Sequence, residues 1–238
     1  MNTTPHSYRY FDFVMVAFVT VLLSANLLGP AKTCVVTIPL LGTALTFGAG
    51  NIFFPFSYIF GDVLTEVYGY ARARKVIWAG FGAMIFATLM SWLVINLPVN
   101  PAEPYNAVLQ PALQTVFGST WRIVCASMLA FWAGDFVNSF VLAKMKIWTE
   151  GRWLWTRTIG STLLGQGVDS LIFYPVAFIG VWEDGTLWRV VAFNWTFKVM
   201  VEVVMTPATY AIVGWLKRRE HVDYFDRHTE FTPFSLAE

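Results

Sequence analysis

Six apolar runs, each about long enough to cross a bilayer, divide the chain. A membrane-spanning helix needs about 20 predominantly apolar residues. The runs predict six transmembrane helices, at residues 11–28, 50–68, 76–96, 122–142, 158–181 and 189–215. Pro207 lies inside the last and longest run, where we expect a tilt or a kink. The pattern predicts an all-α integral membrane protein in which residues 1–216 form one six-span domain.

Two of the connections between the predicted spans have a composition that predicts their local structure. Residues 29–49 place β-branched runs on either side of Leu41-Gly42-Thr43, which predicts a short β-hairpin or a re-entrant loop between spans 1 and 2. Residues 97–121 hold four prolines, which predict a helix-breaking loop on the same, outer side of the membrane as residues 29–49. Residues 217–238 are polar and are expected to form a short cytoplasmic tail.

Basic residues concentrate on alternate connections. Twelve of the 16 lysines and arginines fall near the N-terminus, in 72–75, in 144–157 and in 217–227, whereas the opposite connections hold only Lys32, Arg122 and Arg189. Because cytoplasmic loops carry the excess of Lys and Arg, this asymmetry predicts that both termini are cytoplasmic.

The composition leaves few other classes open. The chain is 56% hydrophobic and 13% charged, against about 25% charged residues in soluble domains. A net charge of +1 gives no basic field for nucleic acid, so no nucleic-acid partner is expected. Cys34 and Cys125 are far apart in sequence; we interpret them as free thiols, with a disulfide as the alternative.

Polar residues recur inside four of the spans at helical spacing. A carboxylate or lysine at the centre of a span costs about 2.5–3.5 kcal/mol, so these residues are expected to face a shared interior rather than lipid. Such an interior is typical of a substrate or ion path. The set comprises Asp62 and Glu66, Asp135 and Asn138, Gln166 and Asp169, and Asn194, Lys198 and Glu202.

Structural interpretations remain open for part of this set. Asn138 and Gln166 could join helices by hydrogen bonds. Lys198 and Glu202 could form an ion pair within span 6, and Glu66 could pair with a basic residue at 72 or 74. The carboxylates at 62, 135 and 169 outnumber the cations, so some must be protonated, hydrated or bound to a ligand.

Enzyme chemistry finds no support in the motifs. The chain has no GxxxxGK[ST] loop, and its three histidines lie outside the spans, so no haem or buried zinc site is expected. Ile59 stands where an intramembrane GxGD protease needs its first glycine. We therefore expect no catalytic residues, no metal and no cofactor.

Three stretches carry a family resemblance over about residues 50–220: FPFSYIFGDVLTEVYGYARARKVIW, RTIGSTLLGQGVDSLIF and FKVMVEVVMTPATYAIVGWLKRRE. With them the sequence resembles the queuosine precursor transporter family, also described as putative vitamin uptake transporters. The resemblance implies a six-helix bacterial inner-membrane protein that imports 7-deazaguanine precursors (7-cyano, preQ0, or 7-aminomethyl, preQ1) for tRNA modification. The positions that match its motifs are Asp62, Glu66, Gln166, Asp169, Lys198 and Pro207.

The polar residues suit such a base. One carboxylate can accept hydrogen bonds from the ring N1–H and the neighbouring amine together. The ring carbonyl and N3 need donors, which the side chains at 138, 166, 194 or 198 could supply. Aromatic side chains such as Phe54 could stack on the ring.

Other functions stay open at this point. The same architecture could serve as a carrier for another small polar solute such as a vitamin. It is also similar to the substrate-binding subunits of energy-coupling-factor transporters. The chain shows no small-residue helix stripe for docking an ATPase partner, so a self-sufficient carrier is expected, either as a single copy or as a homo-oligomer. Coupling to protons through Asp62 or Glu202 and facilitated diffusion fit equally well.

Overall fold

Long helices make up most of the structure. The computed structural model describes residues 8–28, 33–38, 43–118 and 121–235. Within these residues the helices are α1 (Phe11–Leu28), α2 (Phe54–Tyr68), α3 (Tyr70–Asn96), α4 (Asn106–Phe117), α5 (Trp121–Trp148), α6 (Leu154–Phe178) and α7 (Asp184–Glu220). Two strands, β1 (Thr33–Ile38) and β2 (Thr43–Gly48), and a 3-10 turn at Ala49–Phe53 connect α1 to α2.

Four of the described helices, α1, α3, α5 and α7, are long and apolar enough to cross a membrane. Large apolar side chains on α3 such as Phe86, Leu89 and Trp92 are exposed on the outside of the bundle, as expected where the neighbour is lipid. Helix α2 has only 15 residues, and α6 carries several polar side chains. The chain is an α-helical, multi-pass membrane protein; the prediction of six crossings goes beyond these four helices.

The segment between α1 and α2 forms a small antiparallel sheet. Thr33 lies opposite Gly48, and the pairing continues to Ile38 opposite Thr43. Of the two conformations that the β-branched runs left open, the structure has the β-hairpin. The connecting residues 39–42 lie outside the described part of the chain. Cys34 and Cys125 are both free thiols, so the alternative of a disulfide is wrong.

The expectation of a helix-free loop at 97–121 is wrong for residues 106–117, which form α4. Pro111 lies inside this helix and removes one backbone donor, while the other three prolines precede it. Gln110 Nε2 donates to Ile95 O at 2.8 Å and ties α4 to the end of α3. One lost hydrogen bond is thus tolerated in a helix that buries none of its residues.

Helix α7 runs through Pro207 without interruption for 37 residues. At 1.5 Å per residue its length is about 55 Å, more than the ~30 Å of a hydrocarbon core, so it must extend beyond the membrane. At its end, the Glu220 carboxylate accepts hydrogen bonds from Arg9 N at 2.9 Å and Tyr10 N at 2.7 Å. The start of α1 and the end of α7 therefore meet at one face of the bundle.

Residues 221–235, which we call the C-terminal strap, fold back onto that face. The predicted tail boundary at 217 falls in the last turn of α7, and the strap follows Glu220. The Tyr224 ring packs on Gly69, where a Cβ would lie 2.3 Å from the ring, and Phe225 packs on Gly151. Both glycines have positive φ, 87° and 75°, a conformation that glycine adopts readily at a turn. Because glycine has no side chain, each also leaves room for an aromatic ring of the strap.

Hydrogen bonds to α3 hold the rest of the strap. Asp226 accepts from Tyr70 N at 3.1 Å, at the start of α3. Arg74 Nη1 donates to Glu230 O at 2.8 Å and Thr232 O at 2.7 Å, and Trp78 Nε1 donates to Pro233 O at 2.8 Å. The strap is therefore an integral part of the bundle.

Acid is expected to weaken the attachment of the strap. Burial alone would raise the pKa of Asp223, but Lys146 at 2.6 Å and Lys217 at 2.7 Å outweigh it and hold that pKa below its usual value of about 3.9. Because the folded-state pKa is the lower one, the stabilisation is present above about pH 4 and is lost as pH falls through the folded-state pKa. Burial raises the pKa of Asp226, so protonation of Asp226 does not add to this loss.

Thermal unfolding between pH 7 and pH 3 measures this effect. Asp223→Asn should lower the midpoint at pH 7 and should show a smaller further loss on acidification than the wild type. The matched control is Asp184→Asn, at an exposed carboxylate at the start of α7. Equal acid sensitivity in all three proteins would contradict the role given to Asp223.

Candidate functional site

The buried charges form two clusters at different depths. One lies under the strap where four helix ends meet, and we call it the strap-side cluster: Glu66, Lys146, Arg157, Lys217 and Asp223. The second lies further along the helices and is called the mid-helix cluster: Asp62, Asp135, Asp169, Lys198 and Glu202.

Glu66 is the centre of the strap-side cluster and is fully buried. Arg157 binds it with two parallel hydrogen bonds, Nε to Oε2 at 2.7 Å and Nη2 to Oε1 at 2.8 Å. Lys217 Nζ lies 2.5 Å from the same Oε1. The expected pairing with Arg72 or Arg74 is therefore wrong: the partners come from α5, α6 and α7, and Arg74 donates to the strap.

Lys146 links Glu66 to the strap. Its ammonium group lies 3.4 Å from Glu66 Oε1 and donates to Glu66 O at 2.7 Å, Asp223 Oδ1 at 2.6 Å and Tyr224 O at 2.7 Å. Its side chain is 1% exposed. The three cations and two carboxylates of this cluster thus satisfy one another, so the strap-side cluster serves as an anchor.

Asp62 lies one helical turn from Glu66 in a different environment. It is fully buried, and its Oδ1 accepts a hydrogen bond from Asn138 Nδ2 on α5 at 3.3 Å. Asn138 thereby joins two helices, as one interpretation of the sequence predicted. The Asp62 carboxyl also meets that of Glu202 on α7. Neither Asp62 Oδ2 nor either Glu202 oxygen has a hydrogen-bond donor among the described residues.

Lys198 pairs across helices rather than within α7. It forms an ion pair with Asp169 on α6, so the interpretation that paired it with Glu202 is wrong. Asp135 on α5 lies close enough to Asp169 and Lys198 to interact with both electrostatically. The mid-helix cluster therefore holds four carboxyl groups and one lysine, and it is far richer in hydrogen-bond acceptors than in donors.

The remaining predicted residues have different positions. Gln166 is buried on α6, one turn from Asp169. Asn194 is half-buried and donates to Val190 O of its own helix at 3.1 Å. Phe54 begins α2, and its side chain lies outside the described part of the structure.

Tyr58 and Ser170 belong to the site but were not identified from the sequence. Tyr58 is buried and close to the carboxyl groups at 135, 169 and 202. It precedes Asp62 by four residues, so the spacing that grouped the acids of α2 would have found it. Ser170 is fully buried on α6, and its Oγ has no partner among the described residues.

Two glycines hold α5 and α6 together at the site. A Cβ at Gly134 would lie 2.9 Å from Asp169 Cβ, and one at Gly165 would lie 2.7 Å from Asn138 Cβ and 2.8 Å from Gly134 O. Small residues let membrane helices approach in this way. The close contact places Asp169 beside Gly134 and Asn138 beside Gly165, on the facing sides of α5 and α6.

A cavity of about one water molecule's size adjoins the site. Asp135 and Asn138 line it together with Gly61 and Ser139, and apolar side chains of α1–α3 close it. Among the described residues no group of three or more His, Cys, Asp or Glu side chains is arranged to hold a metal ion. The mid-helix cluster with Asn138, Gln166 and Asn194 is thus an acceptor-rich polar site between helices, which we call the mid-helix chamber.

A buried polar site between the helices of a multi-pass protein is typical of membrane transporters. A model of the family described as "Putative vitamin uptake transporter" matches residues 48–212. The chain belongs to this family.

Three curated relatives match most of the chain. A "Probable queuosine precursor transporter" of Bacillus subtilis is 34% identical over 201 residues, covering 84% of this chain and 82% of the relative. The "Queuosine precursor transporter" of Escherichia coli is 27% identical over 183 residues, covering 74% and 76%. A "Probable queuosine precursor transporter" of Haemophilus influenzae is 22% identical, covering 69% and 67%. No solved structure matches the chain.

Proposed function

We propose that this chain imports queuosine precursors, the 7-deazaguanine bases preQ0 and preQ1, across the bacterial inner membrane. The names of the three relatives support the substrate class. The observation that carries the proposal is the mid-helix cluster, in which buried acceptors outnumber donors. A guanine-like ring offers the complementary N1–H and amine donors on one edge.

The chamber supplies both the hydrogen-bond acceptors and the hydrogen-bond donors that the base requires. The carboxyl groups at 62, 135, 169 and 202 accept from the base, and Asn138, Gln166, Asn194 and Lys198 donate to its carbonyl and N3. Glu66 takes no part, because Arg157, Lys146 and Lys217 already occupy its carboxylate. The adjoining cavity is too small for a two-ring base, so binding requires the helices to separate.

Six crossings with both termini in the cytoplasm fit this function. The strap-side cluster joins the ends of α2, α5 and α7 to the start of α6, as alternating crossings require. Glu220 joins the start of α1 to the same face. That face carries the basic connections, which supports a cytoplasmic location. Helices α2 and α6 then cross with their polar faces turned to the interior.

Asp169→Asn is expected to reduce precursor import about 10–100-fold, because a charge-assisted hydrogen bond is worth about 1.5–3 kcal/mol. The test uses a bacterial strain that cannot make the precursor or import it, supplied with preQ0 or preQ1. Queuosine in its tRNA should appear only when this protein is expressed. Asp184→Asn serves as the matched control, and membrane abundance of each variant is measured by immunoblot.

Two outcomes would count against the proposal in different ways. Equal queuosine levels with and without the protein would refute precursor import. Full import by Asp169→Asn would leave the function in place and refute the site. Because the family is described as a vitamin uptake family, the second candidate is another small solute, and competition of labelled preQ1 uptake by purines and vitamins separates the two.

A further inference from the structure

Two carboxyl groups from different helices meet in the mid-helix cluster without a cation between them. Asp62 on α2 and Glu202 on α7 are each 0% exposed and contact each other. Three of their four oxygens have no hydrogen-bond donor among the described residues, and the fourth has the neutral amide of Asn138 at 3.3 Å. A buried pair of ionised carboxylates is strongly unfavourable in such surroundings.

The charged groups packed around the pair do not neutralise it. Lys198, one turn before Glu202 on α7, forms its ion pair with Asp169 of α6. Helix α5 contributes a further carboxyl group, Asp135. On α2 itself, Glu66 is saturated by its own three cations, and Tyr58 contributes a phenol rather than a cation.

We infer that Asp62 and Glu202 hold one proton between them and that the chain exchanges this proton with solution in each transport cycle. One carboxyl group carries the O–H and donates it to the other, as in pairs of carboxyl groups that share a proton. The pair then has a charge of −1 instead of −2. This inference rests on the proposed import function and makes the chain a proton-coupled carrier.

The pair has the geometry that such coupling needs. Asp62 and Glu202 belong to α2 and α7, and these helices also meet in the strap-side cluster through Glu66 and Lys217. Separation of α2 from α7 to admit a base would break the contact and expose both carboxyl groups to water. When the helices open to the outside, the pair takes up a proton from that side as the base enters; when they open to the inside, the O–H proton leaves to that side with the base, so that proton and base cross in the same direction.

The test uses the purified full-length chain in liposomes with radiolabelled preQ0 and no ATP. Exchange of external label against trapped unlabelled preQ0 at equal pH tests the proposed function alone. Net uptake is then measured with the outside one pH unit more acidic, while potassium and valinomycin clamp the voltage at zero. At one proton per substrate, this gradient should sustain about tenfold accumulation.

Glu202→Gln and Asp62→Asn should abolish gradient-driven accumulation and the alkalinisation of the outside medium that accompanies it. Glu103→Gln, an exposed acid before α4, is the matched control and should accumulate label like the wild type. Exchange by the wild type without accumulation under the pH gradient would overturn the inference. So would accumulation driven by a sodium gradient at equal pH, or unimpaired accumulation by Glu202→Gln.

A second measurement needs no substrate, and its result for the wild type does not depend on whether the variants fold. Infrared spectra of the wild type at neutral pH should contain the carbonyl stretch of a protonated carboxyl group, and Glu202→Gln or Asp62→Asn should weaken it relative to Glu103→Gln. Absence of this band in the wild type overturns the inference, whether or not preQ0 is the substrate. Absence of exchange by the wild type, with the band present, refutes preQ0 transport and leaves the shared proton in place.

Discussion

Glu66→Gln is expected to destabilise the protein by about 3–5 kcal/mol, the usual effect of removing one partner from a buried ion pair. The substitution leaves Arg157, Lys146 and Lys217 together without their shared carboxylate. Because these cations lie on three different helices and Lys146 also holds the strap, the loss should loosen the whole face of the bundle. For a chain of this size, the thermal midpoint should fall by roughly 10 °C.

The control is Glu150→Gln, which removes an exposed carboxylate at the same face of the bundle and should leave the midpoint within about 1 °C. Thermal unfolding of both variants in detergent, followed by tryptophan fluorescence or loss of the monodisperse peak, measures the difference. A Glu66→Gln protein as stable as Glu150→Gln would show that the strap-side cluster does not anchor the helices.

Gly165→Ala is expected to have the second largest effect, about 1–3 kcal/mol of stability together with most of the transport activity. The added methyl group would lie 2.7 Å from Asn138 Cβ and 2.8 Å from Gly134 O, neither of which is the flexible end of a side chain. The two helices must therefore move apart. That movement displaces Asn138 from Asp62 and so alters the chamber.

Gly82→Ala on α3 is the matched control, because a Cβ at Gly82 meets no atom within 4 Å. Alanine is the better helix former, so this variant should be as stable as the wild type or slightly more stable. Thermal midpoint and preQ1 uptake are measured for both variants. Equal behaviour of the two would show that α5 and α6 do not depend on this close contact.

The apolar runs were sufficient to predict the long helices, because length and hydropathy alone decide which segments can cross a membrane. They gave α1 with its observed ends, and the cores of α3, α5 and α7. They did not predict α4, because four prolines in residues 97–121 indicate a loop. The contact of Gln110 with the end of α3, which helps to hold α4, is not visible in the sequence. Nor did the apolar runs predict the 15-residue length of α2, whose preceding residues form a 3-10 turn.

The sequence predicted which polar side chains lie inside the bundle better than it predicted how they pair. Helical spacing put Asp62 and Glu66 on one face, but their different environments depend on which helix approaches each turn. The strap was not foreseen, because many of its contacts use backbone carbonyls, such as those of Glu230, Thr232 and Pro233. Because every residue has a backbone carbonyl, the sequence does not show which carbonyls will accept such hydrogen bonds.

The measurement that most directly tests the proposed function is uptake of labelled preQ1 by the purified protein in liposomes without ATP. Import through the mid-helix chamber predicts uptake that saturates, that unlabelled preQ0 and guanine-like bases inhibit, and that Asp169→Asn lowers at least tenfold while Asp184→Asn does not. Uptake no faster than in empty liposomes, from protein that is folded and correctly inserted, would contradict it.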